Sequence, residues 1–208
     1  MLRPGKIVCV GRNYAAHAKE LGNAVPEQPL LFFKPSSAVI GDGETIILPP
    51  ESVRVEHEAE IAVVIGRRLT RGDEAAARAA IGGVTCANDV TARDLQKRDA
   101  QWTRAKGFDT FCPVGPRVLA VDGTTFDFAG LDVIGRVNGV ARQHGRTRDM
   151  AFSVPFLVAY ISGIMTLEPG DLVLTGTPEG VGPLRAGDVV EVEVPGVGIL
   201  RNPVGTRG

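Results

Sequence analysis

VRVEHEAEIAVVI, residues 53–65, is the stretch from which the rest of the chain can be read. Side chains alternate across a strand, so this segment as one strand puts Glu56, Glu58 and Glu60 on one face and Val55, His57, Ala59, Ile61 and Val63 on the other. Beyond Glu60 the acidic face continues as Ala62 and Val64, so both faces turn apolar and the strand runs into a core. Glu60 is therefore expected out of water. Carboxylates sharing a partly buried face repel one another and lose hydration, which raises their pKa values or calls for a cation among them. A solvated acidic edge strand carries the same pattern, and the ExE spacing alone does not separate the two.

A further acid, Asp89, follows the apolar IGGVTCAN (81–88) and so stands at the end of a second strand, where ligands converge. An all-oxygen set of this kind suits Mg²⁺, Mn²⁺ or Ca²⁺ rather than Zn²⁺. His57 falls on the opposite face and reads as a packing or supporting residue.

Outward from this segment, Gly (26) and Pro (14) punctuate short runs rich in Val and Ile, the pattern of strands joined by tight turns. Further strands are expected at 6–10, 30–34, 45–48, 132–137, 171–175 and 189–194. Helices are fewer: 13–21 ending at Gly22, an alanine-rich 73–81 with an acidic start, 91–101 capped by Thr91 with Asp94 three residues on, and 151–164. Phe152, Val154, Pro155 and Phe156 are expected in the core, with an interface as the alternative. PGDLV (169–173) and AGDVV (186–190) are each a Gly-Asp turn feeding a strand, too little for a repeat architecture.

A chain of 208 residues, 44% hydrophobic, suits one domain spanning 1–208. Its 23 basic and 24 acidic residues nearly cancel, so no nucleic acid or anionic membrane partner is expected, and a small ligand is. Cys9, Cys86 and Cys112 are odd in number and far apart, which reads as buried thiols in a reducing compartment rather than disulfides. The apolar run at the start is too short for a signal peptide, and nothing approaches the roughly 20 apolar residues of a membrane span. A cytoplasmic protein is expected. GTPEGVG (176–182) has no GK[ST] after it and reads as a tight turn, not a nucleotide loop.

Seven segments in order, IVCVGRNYAAHAKE (7–20), LFFKPSSAVI (31–40), HEAEIAVVIG (57–66), CANDVTARDLQ (86–96), WTRAKGFDTFCPVGP (102–116), ISGIMTLEPGDLVLTGTPEGVGP (161–183) and GILRNP (198–203), resemble the fumarylacetoacetate hydrolase family. The likeness is to its single-domain acylpyruvase and oxaloacetate decarboxylase branch. It implies a β-rich α+β fold, a mixed β-roll or sandwich of that family's C-terminal-domain type with a few flanking helices, usually as a homodimer. It also implies Mg²⁺ or Mn²⁺ on Glu58, Glu60 and Asp89, with Glu56 outside the ligand set.

The same resemblance makes His17 and Glu20 a catalytic dyad, Lys106 the active-site lysine, and Arg12, Arg93 and Gln96 substrate-binding residues. Gly176 or its neighbour would offer a backbone N–H, and Thr177 a hydroxyl, to a substrate carboxylate. Taken alone, a His and a Glu one turn apart on a short helix are a surface ion pair of small value, and Arg93, Gln96 and Lys106 are surface residues. The implied reaction is hydrolysis of the C–C bond of a 3-acylpyruvate, a small 2-oxo acid, through a metal-stabilised pyruvate enolate, with His17 deprotonating water. Oxaloacetate decarboxylation, or isomerisation of 2-hydroxyhepta-2,4-diene-1,7-dioate, is the alternative on the same residues. A binding module with a structural ion and no turnover is a third reading. The His17 helix is expected to be mobile, to admit substrate.

Overall fold

The computed structural model describes residues 3–206. In chain order the strands are β1 (Ile7–Gly11), β2 (Leu30–Lys34), β3 (Val39–Ile40), β4 (Ile46–Leu48), β5 (Val55–His57), β6 (Ala59–Ile65), β7 (Ile81–Asn88) and β8 (Thr91–Ala92). They continue as β9 (Cys112–Ala120), β10 (Asp132–Val137), β11 (Val140–Arg146), β12 (Leu172–Leu174), β13 (Gly182–Pro183), β14 (Val189–Val194) and β15 (Gly198–Thr206). The helices are α1 (Ala15–Glu20), α2 (Glu74–Ala80), α3 (Arg93–Arg98), α4 (Thr103–Lys106) and α5 (Val154–Ile164). The fold is mixed α+β and β-rich, as expected.

The described residues form three sheets: seven strands in the order β2-β1-β12-β6-β7-β9-β3, five in the order β11-β10-β14-β15-β4, and three in the order β13-β5-β8. β6 lies at the centre of the first, and every one of its residues is buried. Ile61, Val63 and Ile65 join the cluster that includes Val192, Val194 and Leu200 of the five-stranded sheet and Val158 and Ile161 of α5. Ala62 and Val64 join another with Ile7, Leu172 and Cys112. Each large apolar side chain so buried stabilises by about 1.5–3 kcal/mol, so the apolar half of β6 anchors its acidic half.

The expected single strand 53–65 is two. β5 pairs with β8 and β13 in the small sheet, β6 pairs with β7 and β12 in the large one, and Glu58 stands between. At the break the Glu58 N–H is taken by Asn88 Oδ1 at 3.0 Å, and the Glu58 carbonyl accepts from the Asp89 N–H.

Helix 91–101 also differs. Thr91 and Ala92 pair with Glu56 and Val55 as β8, and α3 begins only at Arg93. The Thr91 hydroxyl bonds the Asp89 carbonyl, while Asp94 accepts from Ser52 Oγ and the Val53 N–H, so no capping box forms. Elsewhere local signals hold: Asp73 caps α2 by accepting from the Ala76 N–H at 2.8 Å, and Gly22, at φ 72°, follows the short α1. Helix 151–164 starts later, at Val154, with Ser153 as its cap. Phe156 is not core: it is 36% exposed and stacks between Phe152 and Tyr160 on the outer side of α5, whereas Val154 and Pro155 are buried. All three cysteines are free and buried. Among the described residues no helix is long and apolar enough to cross a membrane.

Candidate metal centre and catalytic pocket

The pairing of Ala59 with Asn88 sets the start of β6 beside the end of β7, so the residues flanking that pair converge. One carboxylate oxygen from each of Glu58, Glu60 and Asp89 lies within 4.8 Å of the others, and all three residues are buried. Such a cluster is stable only if its charge is offset. Lys106 Nζ bridges Asp89 Oδ2 at 2.6 Å and Glu58 Oε2 at 2.9 Å, and Lys34 Nζ reaches Asp89 Oδ1 at 2.6 Å. Arg93 spans Glu58 Oε1 at 2.5 Å and Glu56 Oε2 at 2.7 Å, with a third bond to Gln96 Oε1 at 2.6 Å.

These contacts split the triad electrostatically. Burial works to raise the Glu58 pKa, but Lys106 and Arg93 outweigh it and hold the carboxyl well below the usual range. Glu60 has no cation partner among the described residues, only the Gly176 N–H at 2.8 Å, and burial, then Asp89 and Glu58, push its pKa up. A buried carboxylate without a counter-ion, beside two others, with oxygen as the only donor type, fits a hard divalent cation. Glu56 stands apart, held by Arg54 and Arg93, in line with its exclusion from the ligand set.

Nine of the expected site residues, Arg12, His17, Glu58, Glu60, Asp89, Arg93, Gln96, Lys106 and Thr177, line one small cavity of about 50 Å³. Glu20 and Gly176 do not line it and are joined to it through His17 and Glu60. His17 is only 4% exposed, and its Nδ1 lies 3.2 Å from Glu20 Oε2; Glu20 in turn accepts from the Gly180 N–H. The His17 end of the pair is thus buried, while Glu20 reaches the surface. A carboxylate accepts, so Nδ1 carries a proton, and Nε2 is the nitrogen that has the lone pair in the neutral ring. Arg12 sits at φ 59°, a conformation disfavoured for a side-chain-bearing residue, and makes no ion pair among the described residues.

Two expected donors are committed elsewhere. The Gly176 N–H serves Glu60, and the Thr177 hydroxyl donates to the Ala59 carbonyl at 2.8 Å while accepting from Gln143 Nε2 at 2.7 Å. The Thr177 N–H, by contrast, makes no hydrogen bond among the described residues. Lys34 and Gln143 had been given no role. Lys34 ends a run of apolar residues in LFFK, and a lysine 2% exposed there needs a buried partner, which was the available signal. His57 faces away from the triad and bonds Gln143 at 2.9 Å; burial lowers its pKa.

The model of the fumarylacetoacetate hydrolase C-terminal domain matches residues 6–205. An uncharacterised protein of Methanocaldococcus jannaschii is 52% identical over 203 residues, 98% of this chain and 84% of the relative. The mitochondrial oxaloacetate tautomerase of Arabidopsis thaliana is 46% identical over 209 residues, covering 97% of this chain and 92% of its own length. The crystal structure of a 5-carboxymethyl-2-hydroxymuconate delta-isomerase from Mycobacterium smegmatis superposes with a TM-score of 0.90 at 47% identity, over 100% of this chain and 81% of that one.

Proposed function

Because the chain belongs to the fumarylacetoacetate hydrolase family, we propose that it is a divalent-metal-dependent enzyme that moves a proton at the carbon beside the 2-oxo group of a small 2-oxo acid. The preferred substrate class is an oxaloacetate-like dicarboxylate. One observation carries this reading: the buried His17, bonded to Glu20, and the Glu58–Glu60–Asp89 triad face the same cavity. The Arabidopsis relative is named for oxaloacetate tautomerisation and the Mycobacterium structure for an isomerisation, and both are proton shifts.

Glu58, Glu60 and Asp89 would hold Mg²⁺ or Mn²⁺, which when bound supplies Lewis-acid polarisation of the substrate carbonyl. The Thr177 N–H receives the adjacent carboxylate, and Arg12 pairs with the distal one. His17 Nε2 takes the proton from the carbon next to the carbonyl, while Glu20 stabilises the imidazolium through Nδ1–H. The proton then returns to the substrate oxygen, so the keto form leaves as the enol with no net gain or loss of atoms. Lys106 and Arg93 keep Glu58 anionic, and Lys106, which also bonds Asp89, places positive charge near the oxygen on which negative charge develops.

Hydrolysis of a 3-acylpyruvate is the second reading, favoured by the same dyad, which would deprotonate water instead of carbon. Oxaloacetate, 2-hydroxydienoates and acylpyruvates, each offered with Mg²⁺ and followed by absorbance, separate the two. Faster oxaloacetate enolisation, cut by about 10² or more in His17→Ala, is the expected result. Consumption of acylpyruvates alone selects hydrolysis, and no change in any 2-oxo acid rejects both.

A further inference from the structure

β11 is an edge strand of the five-stranded sheet, and it is exposed except at Gln143 and Gly145. Gln143 is 1% exposed and makes four hydrogen bonds. Its Oε1 accepts from the Ala59 N–H and from His57 Nδ1, both at 2.9 Å; its Nε2 donates to Thr177 Oγ1 at 2.7 Å and to the Pro178 carbonyl at 2.8 Å. The two backbone partners decide which end of the amide is which, because Ala59 N–H can only donate and Pro178 C=O can only accept. His57 must then carry its proton on Nδ1, and Thr177 must give its hydroxyl hydrogen to Ala59.

The backbone around this amide is shaped to admit it. Gly135 pairs with Gln143 and Arg136 with Ala141, so Arg142 is the extra residue of a bulge, a device that re-aims a side chain. A Cβ on Gly135 would lie 3.0 Å from Gln143 Oε1, one on Gly145 2.7 Å from Pro178 Cβ, and one on Gly180 would collide with the Arg142 carbonyl. Three glycines and a bulge thus let the 175–180 loop, the first strand residue after Glu58 and β11 meet at one side chain.

We infer that Gln143 is a positioning residue of the site. It fixes the Thr177–Pro178 turn against the strand that bears Glu60, and so aims the Thr177 N–H at the carboxylate of the bound 2-oxo acid. This rests on the proposed 2-oxo acid reading. Because that carboxylate is bound alike before and during proton transfer, the effect falls on affinity and not on turnover.

The test uses the full chain loaded with Mg²⁺ and titrated with oxalate, a planar dianionic mimic of an enolised 2-oxo acid, by calorimetry. Gln143→Leu should bind Mg²⁺ within about 2-fold of the parent but oxalate about 10-fold more weakly, the scale of one hydrogen bond to a charged group, and KM should rise by a like factor with kcat within about 3-fold. Gln143→Glu retains the acceptor but can donate to Pro178 only when protonated, so its oxalate affinity, relative to the parent at each pH, should recover as pH falls. Unchanged oxalate affinity in folded Gln143→Leu, or an equal loss of Mg²⁺ affinity, overturns the inference. Should Gln143→Leu not fold, a pH-independent relative affinity in Gln143→Glu overturns it. A parent that neither binds oxalate nor turns over any 2-oxo acid rejects the proposed function itself.

Discussion

Replacing Lys106 by Met keeps most of the aliphatic stem and removes the charge at Nζ, which sits over the Phe32 ring 4.9 Å from its centre. Burial works against that charge, but Asp89 and Glu58 outweigh it and raise the Lys106 pKa. A cation with a raised folded pKa stabilises fully below its unfolded value and loses the effect only as pH rises through the folded one, so at pH 7.5 the whole contribution is present. Removing it leaves Asp89 with Lys34 alone and Glu58 with Arg93 alone. Breaking a buried pair costs on the order of 3–5 kcal/mol, and since both carboxylates keep one partner the lower end applies, about 3 kcal/mol. For a chain of this size each kcal/mol is roughly 2–4 °C, so Tm in EDTA should fall by about 6–12 °C. A divalent ion among the same carboxylates replaces the missing charge, so saturating Mg²⁺ should raise Tm more in Lys106→Met than in the parent. Scanning calorimetry of both proteins, with EDTA and with Mg²⁺, reads this directly. A variant within about 2 °C of the parent in EDTA, or one that gains less from Mg²⁺, would refute the bridging role.

Glu60 holds its proton more tightly when folded, above the usual carboxylate range, so in the metal-free protein its own contribution gives stability a downward slope as pH rises through its folded pKa. Glu60→Gln should flatten that slope in EDTA and abolish the Tm rise on Mg²⁺ addition; identical slopes in parent and variant would contradict the assignment. His57, lowered by burial from the ordinary histidine value of about 6.5, has the opposite sign: it stabilises above that value, and the effect is lost as pH falls through the folded one. Urea midpoints at pH 7.5 and 5.5 should therefore drop more in the parent than in His57→Asn, and equal drops would show that His57 is not held neutral.

Much of the fold was legible because it rests on local pattern. The change from acidic to apolar along 53–65 marked β6 as central, and Asp73 marked the start of α2. Reading failed where a distant partner outbid a local one. Thr91 looked like a cap, yet β5 needed a neighbour and took Thr91 and Ala92 into a ladder. Thr177 looked like a free hydroxyl because nothing local reveals Ala59, 118 residues away, as its acceptor. Lys34 and Asp89 are 55 positions apart, and only the folded sheet makes them a pair. The His17–Glu20 spacing predicted the contact but neither the burial of His17 nor the anchoring of Glu20 by the distant Gly180 N–H.

Glu58 belongs to neither β5 nor β6, and the chain changes sheets at that residue. Its neighbour Glu60 is fixed to the large sheet, while the residues before it are fixed to the small one. The distance between the two carboxylates is therefore a gauge of how the sheets seat against each other, read at the most charge-sensitive point of the molecule. A substitution far from the cavity that shifts the seating by a few tenths of an ångström changes the bite of the site without touching a ligand. Tolerance in the scaffold is set here by the tightest dimension in it, and core residues between the sheets share in setting the spacing of the three carboxylates.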